Sequence, residues 1–351
     1  MYIPKVCRGH LMSSCALVGS YICIFAGIAL SVTCAGFPRT KSGKQTAVDS
    51  RVFLYVDFLI INVLFRESGT YRVLTDMTVN NERAIRAVVS ACVEAYASGF
   101  SDRHLSELDN EEGTINMKIH NVFIAELGAD IQYYSALARS LDSSLGNMLE
   151  KMAIQIAKLH YDVSQYVEGA IYQEQTDYIA ELLEAYKNTK GENHRKPQVN
   201  DYIGISNRKS KHSAHSKRHE SDYYLKDPIT GMHYLIELKI GGDLDNKKAR
   251  SEKEALLEQY CILANTLGSE KNIRICFATA YNRYGEGKPW KQGRVLQFFA
   301  EDELLISSSF WNLVCKSDNG YQIVIDEYKK NAHLIIEALA KIKAAYLPNE
   351  K

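Results

Sequence analysis

The sequence predicts an α/β protein, in which a mixed β-sheet with a central hairpin is flanked by helices and preceded by a mainly helical portion. Three observations support this fold class. Apolar residues at helical spacing dominate residues 80–187, a hairpin pattern with a tight turn follows, and a helix, a buried strand and a terminal helix come after it. The length of 351 residues suits one large domain or two of average size.

The composition excludes several classes of protein. Hydrophobic residues make up 46% and charged residues 24% of the chain, which is ordinary for a globular protein and excludes a wholly disordered one. Lys and Arg number 42, as do Asp and Glu, so the chain is not coated in positive charge for nonspecific binding of nucleic acid. A local basic patch remains compatible with this balance.

The amino-terminal segment differs from the rest of the chain. Residues 11–38 contain no charged side chain and are rich in apolar ones, which is typical of a signal peptide or a membrane anchor. Residues 42–76 show no amphipathic period, so an upstream extension from a wrongly assigned start is the alternative. We therefore set residues 1–76 apart from the core, and expect a mainly helical region over 77–190 and the chemistry within 191–351.

The helical region begins with a clear apolar stripe. A helix is predicted after Met77, since apolar residues recur at i, i+3, i+4, i+7, i+8 and i+11 from Ile85 to Tyr96. Further helical spacing covers residues 127–134, 145–161 and 178–186. The composition then changes to Lys, Asn, His, Ser and Gly over residues 187–218, which indicates a flexible basic loop.

The second half of the chain alternates between strands and helices. Residues 223–225 and 233–240 are predicted to form a hairpin around a turn at 227–231 that contains Pro and Gly. A helix over 247–267, a buried strand over 273–278, a further strand over 294–299 and a long helix over 323–346 follow.

The predicted hairpin carries the residues best suited to chemistry. Side chains alternate between faces along a strand, so Glu237 and Lys239 share one face, and Asp222 on the partner strand can approach Glu237. Two carboxylates can hold a divalent ion that activates water, and a neighbouring lysine can stabilise a phosphorane-like transition state. Glu220 is also acidic, so the identity of the first ligand stays open, and an ordinary cross-strand ion pair is the simpler alternative.

These residues resemble a known family. Asp222 followed by Glu237-Leu-Lys239 resembles the PD-(D/E)xK nuclease core, although Ser221 stands where that pattern has proline. The strings IELKIGGDLDNKKAR (236–250) and EKEALLEQY (252–260) are similar to type II restriction endonucleases of the TdeIII group. The resemblance is sharp over residues 220–263, looser from residue 77, and does not reach residues 1–76.

The resemblance implies a restriction-endonuclease-like core that cuts double-stranded DNA at a specific site. Mg²⁺ would be held by Asp222 and Glu237, with Lys239 as electrostatic partner. Glu254 could be a further acid near the metal, or it could pair with Arg250 on the helix surface. The resemblance also implies a homodimer, and we expect the helices of 77–190 to build the dimer and part of the DNA cradle. It further implies a DNA methyltransferase encoded nearby and a cytoplasmic location, which favours the extension over an exported segment or a membrane anchor.

Basic residues near the hairpin are candidates for phosphate contacts. They are Arg208, Lys209, Lys211, Lys217, Arg218, Lys247, Lys248 and Arg250, and a solvated surface is the alternative for each. Zinc binding by His212, His215 and His219 lacks a fourth ligand of suitable spacing. Two further functions stay open, namely another nuclease of the same core, in repair or junction cleavage, and a membrane-tethered DNA-binding protein without catalysis.

Overall fold

The structure, a computed structural model, describes residues 69–187, 195–210 and 214–347. The chain divides into two units, Met1–Tyr71 and Arg72–Lys351, and the second is the one described below. The apolar segment 11–38, Lys211 and His212 lie outside the described residues. Within those residues, no helix combines the length and the apolar character that crossing a membrane requires.

Eight helices and five strands occur in the described part of the chain. The helices are α1 (Gly69–Ser106), α2 (Val122–Ala125), α3 (Ala129–Ala157), α4 (Gln173–Lys187), α5 (Asn246–Leu267), α6 (Gly293–Leu296), α7 (Ser308–Cys315) and α8 (Gly320–Tyr346). The strands are β1 (Asp162–Tyr172), β2 (Ala214–Lys226), β3 (His233–Leu238), β4 (Ile273–Thr279) and β5 (Leu304–Ile306).

The five strands form one sheet in the order of the sequence. β1, β2 and β3 pair antiparallel, whereas β3, β4 and β5 pair parallel. α5 makes the crossover that the parallel pairing of β3 with β4 requires. The mixed sheet flanked by helices confirms the predicted fold class.

Each face of the sheet is buried by a different set of helices. On one face, Ile236 and Leu238 belong to a core with Ile85 of α1 and Met152 of α3. On the other face, Leu235 and Phe277 pack in a core with Leu256 of α5. The alternation predicted for β3 is thus confirmed, and the side chain of Glu237 lies on the α5 side of the sheet.

The helical region departs from the prediction in two places. α1 begins at Gly69, before the start expected at Met77, so the proposed boundary at 76/77 falls inside a helix. β1 lies in the region expected to be mainly helical, where Val167 and Ile171 alternate with exposed or half-buried residues. At Gly169 of β1 a Cβ would lie 2.5 Å from Thr266 Oγ1, so glycine lets β1 approach α5.

The prediction of a strand over residues 294–299 is wrong. Residues Gly293–Leu296 form α6, and Val295, Phe298 and Phe299, at i, i+3 and i+4, are all buried on one side. The fifth strand is instead the short segment Leu304–Ile306. The division of the chain into regions at residues 76 and 190 stays a prediction.

Candidate active site

The β2–β3 hairpin brings the two predicted carboxylates together. Tyr223 pairs with Ile236, which places Asp222 and Glu237 at the next position along the two strands. The turn is held by Asp227, whose Oδ1 accepts hydrogen bonds from the Ile229 amide and from Lys316 Nζ, both at 2.8 Å. Asp227 is the first residue of the predicted turn, and the hydrogen bond from the Ile229 amide to its side chain forms an Asx-turn.

The two carboxylates occupy different environments. Asp222 is half-buried, and its Oδ2 accepts a hydrogen bond from the Leu238 amide at 2.9 Å. Glu237 is only 7% exposed. Burial, and then the neighbouring charge of Asp222, raise the pKa of the Glu237 carboxyl well above its usual range. The contact with the β3 backbone favours Asp222 over the exposed Glu220 as the partner of Glu237.

Lys239 lies between two carboxylates. Its Nζ donates a hydrogen bond to Glu237 Oε1 and lies 3.2 Å from Glu252 Oε1. Burial works against the charged form of Lys239, but Glu237 and Glu252 outweigh it and raise the pKa of the ammonium. The lysine therefore stays protonated at neutral pH and acts as a fixed positive charge.

Glu252 and Glu150 belong to this cluster, and sequence reasoning missed both. Glu252 reaches Lys239 from the first turns of α5. Glu150 approaches from α3, where burial and then the charge of Asp222 raise the pKa of its carboxyl, while Lys239 lowers it. The Tyr223 hydroxyl donates to the Glu150 carbonyl at 3.0 Å and so links α3 to β2.

The acid that the sequence analysis proposed on α5, Glu254, does not pair with Lys239. Glu254 is half-buried and makes no ion pair within the described residues. Glu252 and Glu254 are two residues apart on a helix, so their side chains point roughly 200° apart and only one of them can face β3. The sequence could therefore have indicated Glu252 as the alternative to Glu254. Arg250 does not pair with Glu254; its Nη2 lies 4.0 Å from Glu184 Oε2.

The predicted flexible basic loop is partly a strand. Residues 214–218 belong to β2, where Gly169 of β1 pairs with Lys217 and Glu168 with Arg218. Lys217 Nζ lies 2.6 Å from Glu258 Oε2 of α5, and His219 Nε2 lies 2.7 Å from the same oxygen. Burial alone would raise the pKa of Glu258, but the hydrogen bonds from His219 and Lys217 outweigh it and lower the pKa.

Three other basic candidates lie over tyrosine rings. The Arg208 guanidinium is 3.9 Å from the ring centroid of Tyr178, and that of Arg218 is 3.9 Å from the ring centroid of Tyr166. Lys209 Nζ lies 5.7 Å from the ring of Tyr172. Each of these charged groups therefore has the face of a tyrosine ring beside it.

The remaining basic candidates lie at the start of α5. The Asp245 side chain caps this helix by accepting a hydrogen bond from the Lys248 amide at 2.8 Å. Lys247 and Lys248 are exposed there, and Arg250 is half-buried. None of the three joins the cluster around Glu237.

The donor set of the cluster fits a hard divalent cation. In the part of the chain that the structure describes, no three His, Cys, Asp or Glu side chains gather closely enough to form a metal site by themselves. Mg²⁺ needs fewer protein ligands, since it binds through one or two carboxylates and keeps waters or substrate phosphate oxygens in its remaining positions. Asp222 and Glu237 are the two carboxylates that could form such a pair.

One of three comparisons with known proteins found a match. Residues 81–332, more than half of the chain, match the family model described as type II restriction endonuclease, HinfI. Neither the search of curated proteins nor the search of solved structures found a match. The matched range includes the β2–β3 hairpin as well as Glu150 and Glu252.

Proposed function

Because the chain belongs to the HinfI family of type II restriction endonucleases, we propose that it hydrolyses double-stranded DNA in a Mg²⁺-dependent reaction at the cluster around Glu237. The observation that carries this proposal is the placement of Asp222 and Glu237 on paired strands, with Lys239 on the same face. The hairpin supports membership of the PD-(D/E)xK superfamily. The narrower TdeIII group stays a prediction, since the matched family model is that of HinfI.

Under this proposal, Asp222 and Glu237 hold Mg²⁺ and Lys239 acts on the phosphate. Bound Mg²⁺ would supply positive charge at the scissile phosphate and acidify water. Lys239, already protonated and held by two carboxylates, would stabilise the negative charge that grows on the phosphate oxygens in the transition state. The attacking water gives up a proton to solvent as its oxygen bonds to phosphorus, the bridging P–O bond breaks, and the leaving oxygen takes up a proton from solvent.

The flanking acids have supporting roles in this scheme. Glu252 is a positioning residue, because it touches Lys239 and fixes its ammonium from the side opposite Glu237. Glu150 faces the same cluster from α3, where its carboxylate can accept a hydrogen bond from the attacking water. Glu254 would have no part in the reaction.

The biological setting follows from the family. We propose that the protein acts as a homodimer, since a palindromic site asks for two-fold symmetry in the protein. A partner DNA methyltransferase would protect the host sites, and defence against incoming DNA requires a cytoplasmic enzyme. The basic candidates on and just before β2, and those at the start of α5, would contact phosphates.

A pair of variants tests the chemistry. Glu237→Ala removes a metal ligand, so cleavage should vanish and Mg²⁺ affinity should fall. Lys239→Ala leaves both carboxylates in place, so DNA binding in Ca²⁺ should stay near normal while cleavage slows by roughly 10²–10³-fold. The measurement is single-turnover cleavage in Mg²⁺ beside DNA binding in Ca²⁺, followed by sequencing of the product ends.

Lys226→Ala is the matched control, because Lys226 is exposed at the end of β2 near the turn. Wild-type cleavage rates in Lys239→Ala would show that the cluster is an ordinary ion pair and not the active centre. Cleavage at scattered positions, without discrete fragments, would favour the repair or junction-cleaving nuclease instead.

A further inference from the structure

One face of α3 runs from the catalytic cluster to a polar cleft. Arg139, Ser143, Asn147 and Glu150 stand at i, i+4, i+8 and i+11, which places them on one side of the helix. Arg139, Ser143 and Asn147 are exposed, whereas Glu150 is half-buried and its carbonyl accepts a hydrogen bond from Tyr223, the neighbour of Asp222. The face is therefore a polar strip with one end at the active site.

The far end of the strip opens into a cleft of about 640 Å³. Its walls are α3, the last turn of α1 and the segment that precedes α2. Three basic side chains line it, together with the acid Glu112 and hydroxyl and amide side chains. The basic residues are Arg103, Lys118 and Arg139, so the lining carries net positive charge.

In the part of the chain that the structure describes, none of the three basic side chains forms an ion pair with an acid. Arg103 Nη2 donates to Ser140 Oγ at 2.6 Å, and its guanidinium lies 5.4 Å from the ring centroid of Phe100. Among the described residues, neither Lys118 nor Arg139 has an ion-pair partner. Arg103 is thus oriented without loss of its charge, and the other two can bind an anion without breaking an existing contact.

The length of the strip suits a nucleic-acid backbone. Eleven residues of α-helix span about 16 Å. Along the duplex axis, B-DNA advances about 3.4 Å for each phosphate of one strand, so a strip that lies parallel to this axis extends over roughly five base pairs. A strip of this length that begins at catalytic carboxylates fits a polyanion held along its length better than a single phosphate group.

We propose that this face of α3, with Arg103 and Lys118, is a track for the DNA backbone that flanks the scissile phosphate. The proposal rests on the proposed function, and it adds a binding surface outside the basic candidates found in the sequence. Ser143 and Asn147 donate hydrogen bonds to phosphate oxygens, and Lys118 and Arg139 neutralise phosphates about five positions away from the cut. Contacts of this kind position the duplex without reading its sequence.

The test is a double variant, Lys118→Ala with Arg139→Ala, in the full chain. Binding to a duplex is measured in Ca²⁺ at several salt concentrations. The slope of log affinity against log salt should become shallower by about 1.8, which is 0.9 for each lost phosphate contact, and affinity should fall alike for cognate and unrelated sequences. Lys118→Arg with Arg139→Lys keeps both charges and should keep the wild-type slope.

Two further comparisons complete the experiment. Lys329→Ala is the matched control, since Lys329 is an exposed lysine on α8 outside the lining of the cleft. Shortening the flanking duplex to fewer than five base pairs on each side should weaken wild-type binding and have little effect on the double alanine variant. A wild-type slope in the double alanine variant, with intact cleavage by the wild type, would overturn the track alone. A wild type that cuts no DNA would overturn the proposed function.

Discussion

At the scale of single residues, the position of Lys239 depends on Glu252 as well as on Glu237. The lysine is only partly exposed, and its ammonium lies between the two carboxylates. Without the Glu252 carboxylate, the Lys239 ammonium would be free to move away from the position proposed for the scissile phosphate. The sequence offers a close comparison, because Glu254 lies on the same helix and does not reach the lysine.

We expect Glu252→Gln to slow single-turnover cleavage roughly tenfold, or about 1.4 kcal/mol, because the ion pair that orients the Lys239 ammonium would be lost. DNA affinity in Ca²⁺ should not change. Glu254→Gln should cleave at the wild-type rate. Equal losses in both variants would mean that the charge of α5, rather than the contact with Lys239, supports the reaction.

The residues of the site differ in how far they could be predicted. Asp222, Glu237 and Lys239 lie on one hairpin, so strand alternation and a turn of known type were enough to bring them together. Glu150 is on a helix that precedes the sheet, and its place beside Asp222 depends on packing across the first core. No local pattern reports such packing, which is why this acid could be found only in the structure.

At the scale of elements, the turn after β3 depends on its second glycine. Gly242 has a φ of +62°, and a Cβ there would lie 2.4 Å from Trp290 Cη2 and 2.8 Å from Thr279 Cγ2. The turn must therefore pass close to the end of β4 as the chain leaves the active centre. A glycine serves here both for its backbone conformation and for its small size.

Gly242→Ala should lower the free energy of unfolding by about 2–4 kcal/mol, since overpacking adds to backbone strain. Gly231→Ala is the matched control: its φ is +69°, but a Cβ there would meet no atom within 4 Å. That control should lose only about 1 kcal/mol. Urea unfolding of both variants measures the difference. Equal losses in the free energy of unfolding would show that the close approach to Trp290 does not affect stability.

The elements were predicted best where one period dominated. The stripe of α1 and the hairpin were recognised from their spacing, and α5 was placed within one residue of its observed start. β1 was missed because its only clear alternation surrounds Gly169, and β5 has three residues, too few for any period to show. Apolar residues at 295, 298 and 299 fitted a buried strand as well as the helical turn that they form.

At the scale of the whole molecule, one buried ion pair joins parts that are distant in sequence. Lys253 of α5 is fully buried, and its Nζ lies 2.7 Å from Glu303 Oε2, just before β5. The Tyr202 hydroxyl, from the segment before β2, donates to Glu303 Oε1 at 2.8 Å. The pair thus fixes α5, and with it Glu252, relative to the far edge of the sheet.

Lys253→Met should lower the free energy of unfolding by about 3–5 kcal/mol, because it leaves the buried Glu303 carboxylate without its cationic partner. The double variant with Glu303→Leu should recover part of this loss. Lys187→Ala, which removes an exposed pair with Glu184, should cost less than about 1 kcal/mol. Additive losses in the double variant, measured by urea unfolding, would contradict a direct coupling.

The parallel pairing of β3 with β4 has a consequence for synthesis on the ribosome. Glu150, the hairpin and Glu252 leave the ribosome in that order, but the Lys239 amide donates at 3.0 Å to the carbonyl of Ala278, which emerges later. Until β4 is made, β3 is an edge strand and the end that carries Lys239 has no backbone partner on that side. We therefore expect a nascent chain that ends before β4 to lack the fully ordered cluster, and under the proposed function such a fragment would not cut DNA.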